Sequence, residues 1–408
     1  MIIQNIFAQE IFTAQGMPTI QCTIELANGV HIKNSIPAGF NTPHAAIAYA
    51  YDSERIVQQR MQQSIQFINT IIAPLFVGKP INALAMDSAL IDLHVNHENS
   101  LGSNTTLVIS LSLFQAQAQA EGIQLYQLLQ SISGTQKIHM PRPLVSIFEC
   151  RQSPMQDLQE LLVIPPTDIT SYEQQLHSVI QFHHHAKKIL ELKKLSTSTG
   201  VYGSFVPHIA NDIELFHLVD DVTATLPEYS YQLGIAANSD HIYDPETKLY
   251  RWNNQLLTHN ALIDQYKKIF AAHPAITYLQ DGMASSDVLG WQQMTAQLPE
   301  TISLAGDAIF GTNPMKIRWG ILKKIASMVV IRPEYISTMS QALAAIDACK
   351  NNNKQFLIAG DALGTHDTFI ADLAVGTGAT YLKAGAVSGS EHMAKYNRLL
   401  EIERNMQK

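Results

Sequence analysis

Charge, cysteine and long apolar runs are all scarce in this chain. Only 15% of its 408 residues are Asp, Glu, Lys or Arg, and the formal net charge is −8. A chain without a basic excess lacks the electrostatic footprint of a nucleic-acid binder. Its three cysteines, Cys22, Cys150 and Cys349, are far apart, form no CxxC and cannot all pair. That excludes a disulfide framework and points to a reducing compartment. No apolar run approaches the ~20 residues that span a bilayer. Residues 1–12 have neither the basic n-region nor the apolar core of a signal peptide. The expectation is a soluble cytoplasmic protein without nucleic-acid or membrane partners. Export by a route with no readable signal stays open. The length suits two or three domains and a large core.

What is present is a series of apolar runs that end in ionisable residues: Leu304-Ala305-Gly306-Asp307, Val329-Val330-Ile331-Arg332, Leu357-Ile358-Ala359-Gly360-Asp361 and Tyr381-Leu382-Lys383. Each reads as a buried strand delivering a polar group at its end. Helical patterns at 317–327, 337–349 and 368–375 separate them, so the region predicts βαβ units and a parallel sheet. When such strands close into a barrel, the site lies at their C-terminal ends. Asp307, Arg332, Asp361 and Lys383 are therefore expected to share one site, unless they only pair with one another.

Upstream, residues 1–40 alternate like strands. Thr19-Ile20-Gln21-Cys22-Thr23-Ile24-Glu25-Leu26 before Asn28-Gly29 predicts a hairpin. Helices are expected at 54–75 and 118–129, and residues 131–143, with Gly134, Pro141 and Pro143, are the best linker. The predicted class is α/β, with a smaller α+β domain over 1–132 and a TIM-type α/β barrel over 133–408.

Several segments resemble the enolase family, in its order and over essentially the whole chain. Asp367-Thr368-Phe369-Ile370-Ala371-Asp372-Leu373 and Ala394-Lys395-Tyr396-Asn397-Arg398-Leu399-Leu400 look like its DTFIADL and AKYNQLL segments. Thr312-Asn313-Pro314 after Gly306-Asp307 is similar to GDDLTVTNP, Gln159-Glu160-Leu161-Leu162-Val163 to QEFMI, and Phe182-His183-His184 to VFHHL. Gln15-Gly16-Met17-Pro18-Thr19 resembles SRGNPT, and Ser110-Leu111-Ser112 a VSLA helix start. The resemblance implies an N-terminal capping domain, a C-terminal barrel and a homodimer. It also implies interconversion of 2-phosphoglycerate and phosphoenolpyruvate, in which a lysine removes the proton alpha to the carboxylate and two Mg²⁺ ions neutralise the enediolate.

Carried over position by position, the resemblance gives an edited site. The lysine base falls on Arg332, which cannot lose a proton near neutral pH. The three metal carboxylates fall on Ala236, Gln280 and Asp307, so the expectation is no cofactor, or Mg²⁺ held only weakly by Asp307 with Gln280. Asp240 or Asp281 as a substitute ligand would need a rebuilt strand end. The glutamate that assists loss of hydroxyl becomes Tyr202, and a neighbouring acidic position becomes Gln181. The phosphate-binding His-Arg-Ser becomes Gly360-Asp361-Ala362. The mobile-loop histidine falls on Arg151 and the metal-facing serine on Asn41. Lys383, which faces the substrate carboxylate in the family, is kept, and His366 lies beside the site.

Three readings follow: an enolase-fold protein without enolase activity, acting as a binding or regulatory scaffold; a repurposed enzyme for a small anionic carboxylate or phosphate compound; and a weak genuine enolase. The scaffold leads. Arg332 and Lys383 consumed by Asp307 and Asp361 would favour it, whereas cations facing an open cavity would favour a small anionic ligand. His183, His184 and His185 point in different directions on a helix and read as structural. Asp367 fits a helix N-cap. Asp372 and Glu403 read as structural or as part of a dimer surface, and Trp252, Trp291 and Trp319 as packing residues.

Overall fold

The structure, a computed structural model, describes residues 1–39, 61–96, 102–150 and 157–407. Strands β1 (Ile3–Phe12), β2 (Pro18–Leu26) and β3 (His31–Ser35) form the expected antiparallel meander. Helix Ser103–Glu121 lies against β2 and β3. The single helix expected over 118–129 is in fact two. The first stops where Gly122 takes φ +71, and a second, Leu125–Ser133, begins at Gln124 with a reciprocal capping box. Glycine enters the left-handed region without a Cβ clash, which is why it ends a helix here. The helix expected from residue 54 begins outside the described residues. Its described part is three short segments, Gln62–Phe67, Ile68–Ile72 and Ala73–Phe76.

The large sheet contains β4 (Arg142–Pro143), β5 (Val145–Glu149), β6 (Glu160–Ile164), β7 (Gln232–Ala236), β11 (Ile276–Gln280), β12 (Ser303–Gly306), β13 (Met328–Ile331), β14 (Gln355–Ala359) and β15 (Tyr381–Lys383). Between β7 and β11 the chain adds a small antiparallel sheet of β8 (Tyr243–Asp244), β9 (Leu249–Trp252) and β10 (Gln255–Leu257). The order of the large sheet is β4-β15-β14-β13-β12-β11-β7-β6-β5. Its two ends are consecutive pieces of one strand. The segment 142–149 bonds β15 on one side, including Leu144 N–H to the Leu382 carbonyl at 3.0 Å, and β6 on the other. The nine segments therefore make an eight-stranded closed barrel. The sequence linker is shorter than expected, because Arg142 and Pro143 already belong to the barrel wall.

One strand departs from a purely parallel barrel. β6 runs antiparallel to both β5 and β7, so its first residue, not its last, lies level with the C-terminal ends of the others. The barrel interior is filled by Leu144, Leu162, Ala236, Tyr278, Ala305, Val330, Leu357, Tyr381 and their neighbours, a cluster separate from the main core. Side chains alternate along a strand. With Val330, Tyr278, Ala305 and Tyr381 inside, Arg332, Gln280, Asp307 and Lys383 continue the inward rows by one more step.

Among the described residues no helix is long and apolar enough to cross a membrane. All three cysteines are buried free thiols. Trp291 and Trp252 are buried and Trp319 is half-buried.

Candidate functional site at the barrel mouth

The inward rows end in a connected polar layer. Arg332 Nε donates to Asp307 Oδ2 at 2.7 Å, and Gln280 Nε2 donates to the same oxygen at 3.0 Å. Gln280 Oε1 accepts from the Tyr278 hydroxyl at 3.0 Å and from Lys383 Nζ at 3.3 Å. Lys383 Nζ also donates to Glu160 Oε1 at 2.9 Å. The other oxygen of Glu160 accepts from Ser146 Oγ at 2.7 Å, and Ser146 reaches Ser204 and, through it, Glu149. Arg332 is fixed further by the Gly360 carbonyl at 2.7 Å, by its own N–H on Thr312 Oγ1 at 2.9 Å and by the Tyr335 ring. Arg332, Lys383, Asp307 and Glu160 are all buried.

Thus Asp307, Arg332 and Lys383 meet as the strand ends suggested, but the partner of Lys383 is Glu160 rather than Asp361. Glu160 is the member of this layer that the strand-end pattern does not reveal. The signal was there, since an acid directly precedes the apolar run Leu161–Ile164. The reading looked for charges at C-terminal strand ends, and β6 runs the other way.

Asp361 sits at the rim. Its N–H donates to Glu334 Oε1 at 2.9 Å, and its Oδ1 accepts from Leu363 N–H at 2.8 Å. Tyr202 is half-buried on a loop hung from Glu149, which accepts its N–H at 2.9 Å. A Cβ at Gly200 would fall 2.1 Å from Glu149 Oε2, so a larger residue there would displace this carboxylate. Burial and then Glu160 push the Tyr202 hydroxyl well above the phenol range, against the opposing pull of Arg332.

Two other residues are not brought to this layer. Gln181 is exposed on helix Tyr172–Leu192, which turns its neighbours Phe182 and His183 inward. At about 100° per residue Gln181 lies roughly 200° round the helix from His183, on the solvent side. His366 is also exposed, with Nε2 3.0 Å from Ser390 Oγ. Arg151 and Asn41 lie outside the described residues. His183 stacks on Phe205 at 4.5 Å, and burial, then His184 and Lys187, lowers its pKa to about 4; it is a packing residue. Asp367 accepts the Phe369 N–H one residue outside the backbone N-cap, Thr368, and its other oxygen accepts the Ser35 N–H. Glu403 accepts both N–H groups that open helix Tyr172–Leu192.

The description "Enolase, N-terminal domain" matches residues 3–129, and "Enolase, C-terminal TIM barrel domain" matches 137–408. The chain belongs to the enolase family. It is 32% identical over 413 residues to the enolase of Ehrlichia ruminantium (strain Welgevonden), covering 98% of this chain and 96% of that protein. It is 29% identical over 414 residues to enolase 2 of Lactococcus lactis subsp. lactis (strain IL1403), covering 100% and 97%.

Enolases use Mg²⁺, so the fit of this mouth to that ion can be tested. Magnesium takes an octahedron of oxygens, anionic ones by preference. Ala236 offers none. Gln280 turns its amide nitrogen to Asp307 and its oxygen to Tyr278 and Lys383. Asp307 Oδ2 holds a guanidinium, which leaves Oδ1 as a lone buried oxygen without a partner. Asp240 accepts from Ser285 N–H and Oγ. Asp281 accepts from the N–H groups of Asp307 and Ala308. Burial and then Asp307 raise the pKa of Asp281, which makes it a poorer anionic donor. Among the described residues no group of three or more His, Cys, Asp and Glu could hold a metal. The donor set does not fit the dication, and no chemistry is derived through it.

Proposed function

We propose that this enolase-family chain does not carry out the enolase reaction and acts as a binding or regulatory protein, as a cytoplasmic homodimer. One observation carries the reading. The residue at the position of the catalytic base is Arg332, buried, with its Nε on Asp307 at 2.7 Å. Proton abstraction needs a group that is neutral or anionic before it acts and lies near the substrate proton. A guanidinium fails the first need. Burial alone would ease its deprotonation, but Asp307, then Tyr335 and Tyr202, outweigh that and hold the pKa well above the normal arginine value.

Two further features support the same reading. The Tyr202 hydroxyl, pushed well above the phenol range, is a poor proton donor, so it is a weak substitute for the glutamate that assists loss of hydroxyl. Lys383 faces Glu160 and Gln280, so its charge is already neutralised before any carboxylate arrives. The reading as a repurposed enzyme for small anions needs these cations to be available, and it draws less support for that reason.

The direct test follows the proton alone. 2-Phosphoglycerate is incubated with the protein and excess Mg²⁺ in D₂O, and the C2 proton signal is followed by NMR. The expected result is no exchange above a protein-free blank. Exchange that disappears in Arg332→Ala would overturn the proposal.

A further inference from the structure

Beside the polar layer lies a cavity of about 40 Å³ between the N-terminal domain and the barrel. A buried water needs roughly 10–15 Å³ on this measure, so the cavity takes about three non-hydrogen atoms. Ile36, Leu107 and Leu111 wall it from the N-terminal domain, and Phe369 and Ile370 from the barrel. The polar part of the wall comes from Glu334, Asp361, Asp367 and Lys395.

These polar groups are not equally engaged. Lys395 Nζ donates to the carbonyls of Thr365 and Glu391. Asp367 accepts from Ser35 and Phe369 N–H groups. Glu334 Oε1 accepts from Asp361 N–H at 2.9 Å, but its Oε2 is buried without a hydrogen-bond partner, in a residue only 5% exposed. Among the described residues three carboxyl groups and one ammonium line the cavity, and burial, then Asp361, pushes the pKa of Glu334 up to about 7, so a cation beside Glu334 would take the place of a proton. His392, also in the wall, has its pKa lowered, chiefly by burial, so it adds no positive charge at neutral pH. A buried carboxylate oxygen without a donor costs free energy until it gains a proton or a cationic partner.

We infer that this cavity is a binding site for a small primary ammonium compound, whose N–H groups bond Glu334 Oε2 while its short alkyl part fills the apolar wall. The sign is the opposite of the small anion that the sequence suggested for the mouth. The inference builds on the reading of the chain as a binding protein and names a ligand class for it. The two can fail separately, since amine binding requires no turnover.

The test is isothermal titration of the full chain with ethylammonium chloride, beside sodium acetate and ethanol at matched ionic strength. Ligands this small reach at best a Kd of order millimolar, from a ceiling of about 1.5 kcal/mol per heavy atom. Ethylammonium should bind, and acetate and ethanol should not. Tetramethylammonium, which is too large and has no N–H, should also fail. Glu334→Gln, nearly the same size, should weaken ethylammonium at least about tenfold, the loss expected for one hydrogen bond to a charged group. A circular-dichroism melt checks that this variant folds, and the wild-type size and charge series stands without it. Unchanged affinity in Glu334→Gln, acetate bound in preference to the amine, or no heat from ethylammonium at 50 mM (about fifty times a millimolar Kd) would each overturn the inference.

Discussion

Asp307→Ala should lower the unfolding free energy by about 3–5 kcal/mol, the usual cost of stranding one member of a buried ion pair. The side chains of Arg332 and Asp307 are only 9% and 6% exposed, so water cannot replace the lost carboxylate. The guanidinium would keep the Gly360 carbonyl as a partner but lose its counter-charge. Gln280 Nε2 would lose its acceptor as well. Removing both charges, as Asp307→Ala with Arg332→Met, should cost clearly less than the two single losses added, because a vacated pair no longer leaves a naked charge. Urea unfolding with the midpoint and slope fitted separately measures this. A single-variant loss below about 1 kcal/mol, the level of an exposed pair, would mean that the mouth is open to water and its cations available.

Asp372→Ala should also be clearly destabilising, for a reason unconnected with the mouth. Asp372 lies on helix Phe369–Thr377 and takes both prongs of Arg398, at 2.8 and 2.7 Å, while accepting the Tyr126 N–H at 3.2 Å. Arg398 also reaches Gln124 at 3.0 Å. One carboxylate therefore clamps the last helix of the N-terminal domain, Leu125–Ser133, to the barrel. Bidentate geometry on a buried carboxylate makes this a strong pair, although Arg398 is partly exposed and also meets Glu401 at 2.8 Å. Because Arg398 keeps Glu401 and Gln124, a loss of about 2–3 kcal/mol is expected, the scale of a charged hydrogen bond, and the N-terminal domain should separate from the barrel at lower urea than in the wild type. Asp372→Asn keeps one acceptor and should lose less. A single unfolding transition with an unchanged midpoint in Asp372→Ala would contradict this role.

Much of the barrel was legible because strands of three to five residues such as β12 to β15, buried on both faces, must be nearly all apolar, and their first charged residue marks where the apolar interior ends. That is how Asp307, Arg332 and Lys383 could be placed together from the sequence. Glu160 could not be found the same way. A strand's direction is set by its neighbours and its connections, and nothing within Leu161–Ile164 records that β6 is reversed. Gln181 failed for a related reason, because alignment to a helix gives position along it but not which face it turns inward. The break at Gly122 was legible in principle, as a glycine between two helical patterns, and was passed over because the periodicity continues on both sides. Pairing was the least legible property. The identity of Lys383's partner depends on which side chain stands across the barrel, a distance that sequence spacing does not encode.

The central claim is that this mouth, closed by Arg332–Asp307 and Lys383–Glu160, cannot perform the family reaction. The measurement that meets it most directly is phosphoenolpyruvate formation from 2-phosphoglycerate with excess Mg²⁺, using protein made in a host without contaminating enolase. The account predicts no turnover above that of Arg332→Ala. Turnover in the wild type that Arg332→Ala abolishes would contradict it, and would mean that the site reaches the enediolate with an arginine where the family uses a lysine.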